Sequence, residues 1–165
     1  MTLLVFSDSH GRLAPMEKVR AAVKPDAVLF LGDGLHEFER LSETDPGSTL
    51  YLAVRGNCDL FASDIPTERL FEWEGIRILM LHGHTRYVKH GTEALLAYGR
   101  EVGADLILYG HTHRAECRYL SFEDASLYLV NPGSIGASYE EAGYACIEIK
   151  NKQILVNCAA YREGE

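Results

Sequence analysis

The sequence predicts an α/β (α+β) fold of two packed mixed β-sheets, a β-sandwich, flanked by helices. Three observations carry this. Five short apolar runs each end in a polar cluster, four of the clusters containing glycine: TLLVFS before DSH, AVLFL before GDG, Leu50–Val54 before RGNCD, RILML before HGH, and LILY before GHTH. Amphipathic segments lie between the runs of the first half, and paired strand-like segments with tight junctions fill the second. The 165 residues fit one domain, taken as residues 1–165, and are enough to bury a sizeable core.

Taken in order, Thr2–Ser7 is the first strand candidate. Pro15 then suits a first helical turn, with Met16, Val19 and Val23 at one-face spacing. Ala27–Leu31 is the second strand, and Leu35, Phe38 and Leu41 mark a short helix after it. Leu50–Val54 is the third strand. Arg69–Trp73 pairs with Arg77–Leu81 across Glu74-Gly75. Glu93 to Val102 repeats Leu95, Tyr98 and Val102 on one face and stops at Gly103. Leu106–Tyr109 follows, then Arg118–Phe122 with Ser126–Val130 across Glu123-Asp124, and Tyr144–Ile149 with Gln153–Asn157 across Asn151-Lys152. The five apolar runs are expected to be buried on both faces.

Composition narrows the function. Hydrophobic content of 47% and charged content of 24% describe a globular chain. A formal charge of −8 argues against a broad nucleic-acid surface, which needs clustered Lys and Arg, but not against a small phosphate ester held by cations. Thr2–Phe6 is too short for a signal-peptide core, and no apolar run approaches the ~18 residues of a membrane span. Cys58, Cys117, Cys146 and Cys158 form no CxxC pair. The expectation is a cytoplasmic protein with reduced thiols and no membrane association. A turn at Asn151-Lys152 would bring Cys146 and Cys158 near one another; they are read as small core residues rather than a disulfide.

The strand ends carry the chemistry. Ligands of α/β sheets bind beyond the carboxyl ends of the strands, so clusters sharing that end converge. Asp8 and His10, His82 and His84, and His111 and His113 are each two apart, and extended backbone points such residues to the same side. Gly32, Gly56, Gly83 and Gly110 flank the polar residues and allow tight turns, with Gly56 expected to turn Asn57 inward. Carboxylate, imidazole and one amide, without thiolate, suit Mn, Fe or Zn better than Ca or a cysteine-type zinc. The candidates exceed what one ion needs and fit two ions about 3.5–4 Å apart with a shared carboxylate.

The ordered set Asp8-Ser9-His10, Gly32-Asp33, Gly56-Asn57, His82 and Gly110-His111-Thr112-His113 resembles the calcineurin-like metallophosphoesterase superfamily, whose pattern is D-x-H, G-D, G-N-H-[DE], H and G-H-x-H. GNCD in place of GNHD, with Asn131-Pro132-Gly133-Ser134, is similar to its small YfcE-type branch of single-domain phosphodiesterases. The likeness runs from Leu3 to about Ser134. It implies a sandwich fold and a phosphodiesterase or phosphatase with two divalent ions, manganese favoured and iron, zinc, nickel or cobalt as alternatives. Asp8, His10 and His113 would hold one ion, Asn57, His82 and His111 the other, and Asp33 would bridge them. A bridging hydroxide would attack phosphorus. Asp33, Asn57 and His84 stand nearest the chemistry in this reading, with Asn57, His84 and Arg12 expected to touch a small phosphate-ester substrate. Asn131 and Ser134 would orient ligands or phosphate.

The chain departs from the pattern at two places. Cys58 stands where the family usually has a histidine that protonates the leaving oxygen, and an ordinary thiol of pKa near 8.5 is a poor general acid. Esters with good leaving groups, activated phosphodiesters among them, should therefore do best, and His84 is expected to replace that histidine in part. His36 stands where many relatives have a second Asp. The plainer alternatives are that a single strand-end His or Asp is a turn residue, that Cys58 fills a crowded turn, and that Arg55 forms a salt bridge. His36 and His90 read as surface or capping residues, Arg12 and Arg86 as residues that could steer phosphate with a solvated loop role favoured for both, and Glu140-Glu141 as a solvated face. A second functional class also stands: a non-catalytic scaffold of this fold, binding protein partners through exposed apolar surface. The filled ligand positions favour the enzyme. Pairing into a homodimer or higher homo-oligomer is open.

Overall fold

The computed structural model describes residues 1–45, 47–137 and 141–163. Glu140 of the expected acidic face lies outside these residues. Each apolar run forms a strand that ends at or just before its polar cluster. The first sheet contains β1 (Thr2–Phe6), β2 (Ala27–Phe30), β3 (Leu50–Ala53), β9 (Gly143–Lys150) and β10 (Gln153–Ala160), in the order β10-β9-β1-β2-β3. The second contains β4 (Glu68–Trp73), β5 (Ile76–Leu81), β6 (Leu106–Tyr109), β7 (Ala115–Ser121) and β8 (Ser126–Pro132), in the order β4-β5-β6-β8-β7. Both sheets are mixed: β1, β2 and β3 run parallel, as do β5, β6 and β8, and hairpins supply the antiparallel edges.

Alternation along the strands builds three apolar layers. Leu3, Val5 and Leu29 of the first sheet meet Met80, Leu108 and Val130 of the second between the sheets. Leu4, Phe6, Val28 and Phe30 point the other way, onto α1 (Leu13–Val23) and α2 (Leu35–Glu43) through Met16, Val19, Phe38 and Leu41. Leu79, Leu81, Ile107 and Tyr109 cover the outer face of the second sheet with Leu95 of α3 (Glu93–Glu101). None of the described helices is long and apolar enough to cross a membrane. Leu108 is wholly buried in the middle layer. Leu108→Ala is expected to cost about 2–5 kcal/mol from lost transfer energy and a residual cavity. Thermal unfolding followed by circular dichroism should show the midpoint falling by about 5–15 °C.

Two expectations need correction. Burial on both faces fails for β3, because it is the edge of its sheet, and Leu50 is 41% exposed. The turn at Asn151-Lys152 forms, with φ of 52° and 62°, the left-handed pair that a two-residue hairpin requires. Its register, however, sets Cys158 opposite Ala145 and Cys146 opposite Asn157. Successive residues face opposite sides, so the two thiols are separated by the sheet. All four cysteines are free.

Candidate metal centre

The carboxyl ends of β1, β2, β5 and β6 meet at one edge of the sandwich, and the loops leaving them carry Asp8 and His10, Asp33, His82 and His84, and His111 and His113. Backbone bonds stitch these loops together: Asp8 N–H to Gly32 O at 2.9 Å, Gly110 N–H to His82 O at 3.0 Å and Ile135 N–H to Ser7 O at 3.0 Å. The side chains gather in two groups. Ligand atoms of Asp8, His10 and His113 lie within 4.8 Å of one another, as do those of Asp33, His82 and His111. In the first, His10 Nε2 and His113 Nε2 are 3.2 Å apart, and Asp8 Oδ1 is 3.1 Å from His113 Nε2. In the second, His82 Nε2 is 3.1 Å from His111 Nδ1 and 3.4 Å from Asp33 Oδ2. Asp33 also lies within 4.8 Å of His10 and Cys58, so this one carboxylate reaches towards both groups.

The expected same-side geometry is not how the pairs converge. Asp8, His10, Asp33, His111 and His113 all take positive φ, between 42° and 68°, so their backbone is left-handed rather than extended. His111 and His113 consequently serve different groups. Gly56 likewise acts differently from expectation. It is absent from the positive-φ residues, and a Cβ there would collide with Asp33 Oδ1. Gly110 meets the same demand, since a Cβ would strike Ser7 Oγ beside Asp8. Both glycines make room for carboxylates rather than for unusual torsions.

Hydrogen bonds fix which atoms remain available. His82 Nδ1 lies 2.7 Å from Leu31 O, which accepts its proton and turns Nε2 towards Asp33. Asp8 Oδ2 accepts from Ser7 Oγ and from His111 N–H at 3.1 Å. Asp8 Oδ1 is buried without a hydrogen-bond partner and faces the imidazoles of His10 and His113. A buried carboxylate oxygen is costly to leave unsatisfied, and a cation between Asp8 and these imidazoles would satisfy it. The donor set, nitrogen and carboxylate oxygen without a structural thiolate cage, fits a first-row divalent ion.

Charges follow from this packing. Burial pushes the Asp33 carboxyl up, but the His82 hydrogen bond and charge and the Cys58 N–H at 2.8 Å outweigh it, holding the group well below the usual carboxylate range. Burial opposes charge on His82, yet Asp33 and Asp8 raise it. Burial and the His82 charge press His111 down to about 4. Burial, followed by Asp33, pushes the Cys58 thiol up to about 11, so it is neither a ready acid nor a thiolate.

The remaining expected residues take various places. His84 begins a 3₁₀ turn (His84–Arg86), its ring 5.4 Å from that of His82 and 6.2 Å from that of His111. Burial and then the His82 charge lower its pKa, and its buried Nδ1 has no hydrogen-bond partner. Asn57 is exposed at the rim, its Nδ2 3.4 Å from Cys58 Sγ. Arg12 lies on the His10 side and donates from Nη1 to Ala137 O at 2.9 Å. Arg55 forms no salt bridge among the described residues; its Nε is buried without a partner, and its charge acts on His84. Arg86 is no solvated residue, since it pairs with Glu68 at 3.1 Å and covers the Tyr98 ring at 3.7 Å. His36 and His90 are exposed as expected.

Sequence reasoning missed Asp59. One oxygen accepts from Asp33 N–H and Gly56 N–H, both at 2.8 Å, and the other from Gly34 N–H at 2.9 Å and Leu35 N–H at 3.0 Å. It ties the Asp33 loop, the β3 loop and the start of α2 to one anion. Asn131 and Ser134 hold the loops of the site rather than its candidate ligand side chains. Asn131 Nδ2 donates to Gly110 O and Thr112 Oγ1, and Ser134 Oγ donates to Asp8 O at 2.7 Å.

Known proteins resemble this chain in sequence and in fold. A Methanothermobacter thermautotrophicus protein named probable metallophosphoesterase is 38% identical over 144 residues, 81% of this chain and 77% of its own length. The probable metallophosphoesterase YsnB of Bacillus subtilis is 33% identical over 137 residues, 82% of this chain and 75% of its own. Among solved structures, a Streptococcus pneumoniae protein titled a predicted phosphoesterase superposes with a TM-score of 0.73 at 31% identity, covering 96% of this chain and 88% of that one. Escherichia coli Yfce, titled a phosphoesterase, gives 0.62 at 23% identity over 97% and 99%. Vps29 of Chaetomium thermophilum gives 0.74 at 20% over 98% and 96%; these last two likenesses are of fold. Residues 1–152 match the model of the calcineurin-like phosphoesterase superfamily domain, and the chain belongs to that superfamily.

Proposed function

We propose that this protein is a phosphodiesterase that uses two divalent cations, manganese foremost, to hydrolyse small activated diesters. The convergence of six candidate ligands into two groups reached by one buried carboxylate, Asp33, carries the reading. Asp8, His10 and His113 would hold one cation, and His82, His111 and Asn57 the other, with Asp33 between them. When bound, such a pair supplies an acidified water as nucleophile and neutralises charge developing on phosphorus.

The chain's own residues do the rest. The Leu31 carbonyl holds His82 in the tautomer that presents Nε2. Asp59 keeps the Asp33 backbone in place. His84, with its pKa lowered, offers an N–H to the leaving oxygen rather than a stored proton. Arg55, beside it, adds a cation on that side, and Arg12 stands on the opposite, His10 side. His84→Ala is expected to lower turnover of alkyl esters about 100-fold and of p-nitrophenyl esters only about threefold, since a donor matters most where more charge builds on the departing oxygen. Equal losses on both esters would remove His84 from that role.

The deciding experiment is hydrolysis of bis(p-nitrophenyl) phosphate and p-nitrophenyl phosphate by metal-stripped protein, with and without Mn²⁺. Mn²⁺-dependent turnover favouring the diester is the expected result. No turnover of either ester despite bound metal would favour the scaffold reading, which draws on the fold shared with Vps29. The four free thiols suit a reducing compartment and support a cytoplasmic site.

A further inference from the structure

Beside the first ligand group lies a cleft of about 1230 Å³ whose walls the reading above leaves largely unused. His10 and His113 of the first ligand group line it, together with Arg12, Lys89, His90 and Arg114. Three permanent cations on one cleft stand out in a chain of formal charge −8. The lining carboxylate, Glu116, is already engaged by Arg118 at 2.7 Å and by the Tyr109 hydroxyl. Among the described residues, the arginines with ion pairs are Arg20, Arg86, Arg100, Arg118 and Arg162; Arg12, Lys89 and Arg114 have no carboxylate partner.

These cations are placed by folded backbone. Val88 is buried against Gly83 and anchors the 3₁₀ turn Val88–His90, which leaves Lys89 and His90 outward on the cleft. Arg114 follows His113, and its N–H donates to Thr112 Oγ1 at 3.3 Å, the hydroxyl that Asn131 also holds. Arg12 spends Nη1 on Ala137 O and keeps its remaining donors. The Lys89 charge is near enough to act on His111 and His113. His84 and Arg55 are not among the lining residues, so the cleft is distinct from the proposed leaving-group side.

We propose that this cleft binds a second phosphate of the substrate, so that the preferred substrates are small diesters whose non-leaving arm carries a phosphate monoester. The inference rests on the phosphodiesterase reading. A phosphate monoester brings about −1.5 to −2 charges, which matches several cations better than the single charge of a carboxylate. Guanidinium groups add planar, two-pronged donation to its oxygens. Elsewhere the acidic surface repels such a ligand, so the attraction is local to the cleft.

The test uses the Mn²⁺-loaded full chain and two matched probes, thymidine 5′-monophosphate and thymidine 3′,5′-bisphosphate. Binding is read by calorimetry, and turnover is read on the 5′-(p-nitrophenyl) ester of each. The bisphosphate is expected to bind about tenfold more tightly and its ester to show a matching gain in kcat/KM, from two to three charge-assisted contacts. In Lys89→Ala/Arg114→Ala the ratio should fall below about threefold, while Lys18→Ala on α1, which removes an exposed charge that does not line the cleft, should keep it. The preference of the unaltered chain should also shrink between about 50 and about 500 mM NaCl, a readout that needs no variant. Equal binding of the two nucleotides, a preference that survives the double substitution in a folded protein, or a salt-insensitive preference overturns the proposal. Turnover without the preference overturns the cleft and keeps the enzyme; the preference in binding without turnover of either ester keeps the cleft and overturns the enzyme.

Discussion

Asp33→Asn is expected to lower Mn²⁺-dependent diester turnover by at least about a thousandfold, a barrier increase of about 4 kcal/mol, in a protein that still folds. The amide keeps the shape of the carboxylate and an oxygen to accept the Cys58 N–H now 2.8 Å from Oδ1. What disappears is the negative charge 3.4 Å from His82 Nε2 and within ligand distance of His10. In the proposed two-cation site both positions would depend on that charge, so both would weaken together. Steady-state kinetics, bound metal by elemental analysis and thermal unfolding should be measured on the same sample. Turnover within tenfold of the unaltered protein, with both metals retained, would show that Asp33 is not the shared ligand.

Asp59→Ala is expected to be the most damaging change among residues outside the proposed ligands. Its carboxylate accepts four backbone N–H groups, from Asp33, Gly34, Leu35 and Gly56. Two of these open α2, whose N-cap Gly34 has no side chain to cap it, so a carboxylate from the β3 loop satisfies the orphan donors and meets the positive end of the helix. Charge-assisted bonds to buried amides contribute about 1.5–3 kcal/mol each and do not add fully. A total near 3 kcal/mol would lower the unfolding midpoint by about 6–12 °C. Asp59→Asn, which retains one acceptor oxygen, should lie between. Diester turnover should fall even well below the midpoint, because the Asp33 backbone loses its tether. A melting temperature within about 2 °C of the unaltered chain would contradict this account.

The strands and helices were readable because local signals and tertiary burial agree: Leu3 to Phe6 and Leu106 to Tyr109 are apolar throughout and are buried throughout. β3 misled because an apolar run does not reveal whether it ends up central or at an edge. The two 3₁₀ turns between His84 and His90 were missed because Val88 under Gly83 holds them, a contact with no periodic signature. The partition of the candidate ligands followed the family resemblance, since spacing alone does not say which side chains share an ion. The geometry of His111 and His113 was not readable, since spacing does not disclose left-handed backbone. Asp59 escaped notice because its partners Asp33 and Leu35 lie more than twenty positions earlier in the chain.

The left-handed backbone at Asp8, His10, Asp33, His111 and His113 has a consequence for how such a chain can change over time. Non-glycine residues hold that conformation at about 1 kcal/mol or more apiece, with Asp less penalised than His. Selection for turnover must hold these side chains against that steady disadvantage. Once turnover ceases to matter to the cell, replacing a histidine there by glycine relaxes the loop and leaves the sandwich intact. Drift then runs towards sturdier proteins without metals, and the return path runs uphill. A catalytic centre built on disfavoured torsions is therefore easier for a lineage to lose than to regain.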